Sequence, residues 1–246
     1  MPDDILTPLM LAGAGFIAGT INSIAGGGSL LTLPMLIFIG LPSTVANATN
    51  RIGVLVGGVG APGSFHKREL IPWAWVKFGL PPALVGVALG TWGAMTIGDV
   101  AFERILAGIL IAAAAYMIWN PSAPLAGANP LEPDPARRWL LLLAFFGLGL
   151  YSGFIQAGVG FLFLALLAAN GLDLVRANAV KVPLILAFTI LAVGIFTFNG
   201  MVDWAAGQFF GAKFGVRLQV LKGQEWVRKV LTVTIVIFAI RLITRG

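Results

Sequence analysis

Apolar stretches dominate the chain and alternate with short polar punctuation, and the pattern runs through twice. In the first half they occupy roughly residues 5–25, 29–41, 44–64, 73–97 and 102–119. The second half reads 139–157, 159–170, 174–198, 204–220 and 226–243. Between them lies Asn120 to Arg138, rich in Pro, Gly and charge, which cannot continue a helix. The pattern predicts a first repeat over 1–119, a loop over 120–138 and a second repeat over 139–246.

Residue by residue, Gly15-Phe16-Ile17-Ala18-Gly19-Thr20-Ile21-Asn22 returns as Gly149-Leu150-Tyr151-Ser152-Gly153-Phe154-Ile155-Gln156. Ala46-Asn47-Ala48 returns as Ala177-Asn178-Ala179. Several stretches reach the ~20 residues that a helix needs to cross a ~30 Å hydrocarbon core. The second in each half, 29–41 and 159–170, is too short to do so. Each short piece follows a glycine cluster, Gly26-Gly27-Gly28 or Gly158-Val159-Gly160, and precedes a polar motif. The expected fold is an all-α, polytopic integral membrane protein of two inverted-topology repeats, with short broken or re-entrant helices.

Composition agrees with this. Of 246 residues, 58% are hydrophobic and 11% charged, less than half the charge of an ordinary soluble domain. The net charge of +6 is carried by short loops rather than by a patch with interleaved aromatics, so no nucleic-acid partner is expected. Lys67, Arg68, Arg137, Arg138, Arg176, Arg217, Lys222, Arg228 and Lys229 fall on one predicted side, which should be cytoplasmic. Arg104, Arg241 and Arg245 fall on the other. The expected location is the cell (inner) membrane, multi-pass, with the N-terminus outside. Trp73, Trp75, Trp119, Trp139, Trp204 and Trp226 near segment ends read as interfacial anchors. Gly86-x-x-x-Gly90 permits a homodimer contact.

The candidate chemistry lies in polar residues inside apolar sequence. Asn22 and Gln156 occupy the same place in the two halves, and Ser29 follows the first glycine cluster. Asn47, Thr49, Asn50 and Arg51 form the first polar motif, and Asn178 with Lys181 the second. These supply donors and two cations with no carboxylate. Glycine breaks expose helix N-termini, whose free N–H groups favour negative charge. Asn22, Gly27, Gly28, Ser29, Asn47, Thr49, Asn50, Arg51, Gln156, Gly158, Gly160, Asn178 and Lys181 are therefore expected to line one midplane pocket for a small anion. The competing reading assigns the glycines to helix packing and the amides to interhelical hydrogen bonds.

No cysteine is present, which excludes thiolate chemistry and disulfides, and a single histidine excludes a His-based metal site. Neither a nucleophile elbow nor a Walker A sequence occurs, so neither an enzyme nor a cofactor is expected.

Gly-x-x-x-Gly-x-x-Asn from Gly15, Ala25-Gly26-Gly27-Gly28-Ser29, Leu33-Pro34, Ala46-Asn47-Ala48-Thr49-Asn50-Arg51 and Ala177-Asn178-Ala179-Val180-Lys181 together resemble the TauE/SafE sulfite exporter family. The resemblance covers essentially the whole chain. It implies a secondary transporter, commonly outward, of small sulfur-containing anions such as sulfite or organosulfonates like sulfoacetate, seated in the lipid bilayer. An anion channel and a non-transporting membrane scaffold are the alternatives. No Asp or Glu lies deep in an apolar stretch, so membrane potential is the expected driving force. Expelling one charge across ~100 mV gains ~2.3 kcal/mol, a gradient of roughly fifty-fold.

Overall fold

The computed structural model describes residues 29–38, 40–59, 61–119 and 130–203. The expected elements before 29 and after 203, with Asn22, Gly27 and Gly28, lie outside the described residues. Within them the protein is all-helical: α1 (Ser29–Phe38), α2 (Ser43–Gly58), α3 (Ala61–Lys67), α4 (Trp73–Thr96), α5 (Asp99–Trp119), α6 (Arg138–Phe154), α7 (Val159–Ala169) and α8 (Leu174–Phe198). A 3-10 turn, Pro135–Arg137, leads into α6. By length and composition α4 and α8 can each cross a membrane.

Local sequence explains the starts and stops. Asp173 caps α8 by accepting from Arg176 N at 2.8 Å, and Asp134 caps the 3-10 turn through Ala136 N at 2.9 Å. The stretch expected over 44–64 is two helices rather than one, α2 and α3.

Two sets of contacts define the ends of the bundle. Trp75 Nε1 donates to Pro130 O at 3.0 Å, and a Cβ on Gly171 would sit 3.4 Å from Pro130. The starts of α4, α6 and α8 and the end of α7 thus gather at one end, which carries six cations, Lys67, Arg68, Lys77, Arg137, Arg138 and Arg176, with four carboxylates, Glu69, Glu132, Asp134 and Asp173. At the other end Ser43 Oγ donates to Glu103 at 2.7 Å, and Asp203 N donates to Thr49 Oγ1 at 3.0 Å. That end carries Asp99, Glu103, Asp203 and Arg104. Trp75, expected as an interfacial anchor, is instead 1% exposed, because its indole N–H holds Pro130. Trp139, 78% exposed, keeps the position of an anchor.

The closest packing in the bundle joins α4 to α6. A Cβ on Gly86 would lie 2.2 Å from Phe146 O, and one on Gly90 2.0 Å from Leu150 O. From the facing helix, a Cβ on Gly149 would lie 2.1 Å from Ala83 O, and one on Gly153 2.2 Å from Val87 O. Four glycines interlock two backbones, the arrangement that small residues give helices in lipid. The Gly86/Gly90 face is consequently filled by α6 of the same chain and is not free to join a second copy.

Candidate functional site

The element expected over 139–157 runs beside most of α4, with its last residue, Phe154, facing Gly93 and Phe102. It stops at Phe154, and the chain turns back through residues 155–158 into α7, which returns to the basic end at Gly171. Two backbone conformations cause the reversal. Gln156 has φ +59° and Gly158 φ +74°, both left-handed. Glycine adopts that region freely, whereas a glutamine there costs about 1–2 kcal/mol. Such strain at a non-glycine residue persists only where the surroundings hold it. Here Gln156 Nε2 donates to Thr189 Oγ1 at 2.7 Å, and Thr189 in turn donates to Ile185 O at 2.7 Å. Short apolar α7 therefore folds back from its predecessor as a helical hairpin.

The N-terminus of α1 meets this reversal. Leu30 packs against Gly158, 3.5 Å from where a Cβ would be. From that shared point α1 runs toward the acidic end and α7 toward the basic end. Gly158 lines one cavity with Ile109 and Ala113, near the middle of α5. Ser29 is 2% exposed, and Gly158 and Gly160 are buried with it. The start of α7 thus lies against Leu30 in the first turn described for α1. The adjoining cavity of about 330 Å³, lined by Ile109, Ala113, Tyr151, Gly158 and Leu162 among others, is apolar and unsuited to an ion.

The carbonyls that end α6 are held by the polar motif of α2. Arg51 Nη2 donates to Gly153 O at 2.7 Å, and Thr91 Oγ1 reaches the same oxygen at 3.3 Å. Asn47 Nδ2 donates to Phe154 O at 2.8 Å. A broken helix ends in carbonyls and a partial negative charge, and a cation there is stabilising. The Arg51 guanidinium also stands 5.3 Å from the centroid of the Phe196 ring, a cation–π distance. Its Nε and Nη1 are buried without a hydrogen-bond partner, as are Asn47 Oδ1, Ser152 Oγ and Gln156 Oε1. Arg51 itself is wholly buried.

The remaining expected residues divide. Asn50 accepts from Thr32 Oγ1 and so ties α2 to α1. Thr49 is engaged by Asp203 N. Lys181, 3% exposed, and Asn178 belong to α8 near the basic end. The expectation of one pocket containing both cations does not match this geometry. Arg51 lies against Phe196, and about four turns, roughly 22 Å of helix, separate Phe196 from Lys181. The two polar motifs sit in antiparallel helices, so equivalent positions in the two halves lie at different depths. Thr91, Ser152, Thr189 and Phe196 complete the surroundings and were not singled out by the sequence.

The family description "Sulfite exporter TauE/SafE" matches residues 11–242. The chain belongs to the TauE/SafE family. A probable membrane transporter protein, ORF9, of Sinorhizobium sp is 33% identical over 94% of this chain and 90% of its own length. The probable membrane transporter protein YfcA of Escherichia coli K12 is 29% identical, covering 97% of this chain and 91% of its own. A Haemophilus influenzae probable membrane transporter protein is 27% identical over 89% of this chain and 88% of its own. No solved structure matches. TauE/SafE membership makes the protein a membrane transporter and not an enzyme.

Proposed function

We propose that the protein moves a small sulfur-containing anion, such as sulfite or an organosulfonate like sulfoacetate, across the cell membrane by alternating access. The anion is held where α1 and α7 begin, with Arg51 as its charged ligand. One observation carries this reading: a fully buried guanidinium with two unpartnered nitrogens beside a break in the helices. A buried cation with spare donors is costly in a membrane and is retained where it binds something negative. The family description supplies the sulfur chemistry.

Opposed helix directions support inverted repeats as the moving parts. The pair α1 and α2–α3 matches α7 and α8 in sequence, yet each member runs toward the opposite end of the bundle from its counterpart. Ends of half-helices at a repeat interface are where secondary transporters hold their substrates. Placing the basic end in the cytoplasm satisfies the positive-inside rule, and the interior-negative potential then favours export.

Ligand-induced stabilisation of purified protein is the test. Sulfite, thiosulfate or sulfoacetate at a hundredfold above its Kd should stabilise the native state by ~2.7 kcal/mol and raise the melting temperature. Arg51→Gln should lose the shift. Equal shifts in both proteins, or none with any sulfur anion, would remove the anion from this site.

A further inference from the structure

Lys181 takes no part in the site just described. Its amine has no hydrogen-bond or ion-pair partner among the described residues, although the residue is 3% exposed. One turn earlier on the same helix, Asn178 Oδ1 is buried and unpartnered. Thr189, which holds Gln156 at the helix break, lies about halfway along α8 between Lys181 and Phe196, the residue facing Arg51. Arg51 thus touches the end of α6 at the break, whereas Lys181 lies eight residues, about 12 Å or two helical turns, from Thr189 toward the basic end. Arg51 is on the acidic-end side and Lys181 on the basic-end side.

We propose that Lys181 forms a second anion station, serving entry from the basic end, while Arg51 serves the opposite end. This rests on the reading of the break as the transport site. A single pocket with both cations would hold an anion too firmly to release it to either face. Two separated cations instead lower the barrier on each side of the break, as charged rings do along anion pores. In each access state one cation faces the anion and the other is shielded.

A buried charge without a partner destabilises its host, and an apolar side chain of similar length relieves that cost. Lys181→Met is therefore expected to melt at the same temperature as the parent or above it, so folding is not at risk. Initial rates of sulfite transport are measured in oriented proteoliposomes, with substrate presented at either face. Lys181→Met should raise KM about tenfold for sulfite presented at the basic end, the effect of losing one charge-assisted contact. KM from the acidic end should change less than twofold.

Lys181→Cys supplies an independent readout, because the chain has no other cysteine. Aminoethyl methanethiosulfonate applied at the basic end restores a positive charge and should restore KM; the neutral methyl reagent should not. A KM change equal from both faces, no change, or equal recovery with the neutral reagent overturns the second station. Loss of transport in Arg51→Gln with a sidedness-neutral Lys181→Met would overturn this inference alone. Unimpaired transport in Arg51→Gln would overturn the underlying reading of the site.

Discussion

Gln156 shows how one residue can be both costly and required. Its left-handed backbone is held by main-chain bonds to Tyr151 and Val159 and by a side-chain bond to Thr189, itself anchored on the carbonyl of Ile185. Thr189→Val removes that acceptor and leaves a buried amide N–H group unsatisfied, at a cost of about 1–3 kcal/mol. The expected result is a lower melting temperature and weaker anion binding together, measured by thermal shift with and without sulfite. Asn47→Leu should act similarly, since Phe154 O then loses its donor at the end of α6. At this scale the sequence was informative about Asn47, Arg51 and Gln156, because amides and cations stand out in apolar stretches. Thr91, Ser152 and Thr189 were not legible. Hydroxyls occur throughout membrane helices and commonly bond to their own backbone, as Thr189 does.

Between elements, the deciding contact is the glycine seam of α4 and α6. Gly86 and Gly90 carry the spacing of a helix-pairing motif, which does not say whether the partner belongs to the same chain. The partner is α6, through Gly149 and Gly153. Gly149→Ala would place a methyl carbon 2.1 Å from Ala83 O, so the helices must separate. Overpacking of this kind costs about 1–3 kcal/mol or more, and the melting temperature should fall accordingly. Because Gly153 also presents its carbonyl to Arg51, separation should weaken anion binding as well. The short α7 was legible from its length, but the reversal before it was not. It is written in two backbone angles, at Gln156 and Gly158, across which hydropathy hardly changes.

Across the whole molecule, antiparallel placement of α2 and α8 converts a repeated sequence into separated cations. Repetition alone shows which positions correspond; only chain direction shows that Arg51 and Lys181 end at different depths. The same geometry makes the two ends unlike in charge among the described residues, six cations with four carboxylates at one and Arg104 with Asp99, Glu103 and Asp203 at the other. Single cysteines at Arg138 and Asp99 should label from opposite faces with a membrane-impermeant maleimide, Arg138→Cys from the cytoplasm and Asp99→Cys from outside. Labelling of both from one face would contradict the described topology. The most direct measurement is radiolabelled sulfite flux into proteoliposomes under an imposed membrane potential, comparing the parent with Arg51→Gln. The account predicts saturable, potential-driven flux in the parent and at least a tenfold loss in the variant, since a buried charged ligand contributes more than about 1.4 kcal/mol. Equal flux in the two proteins, or no saturable sulfite flux in the parent, would contradict it.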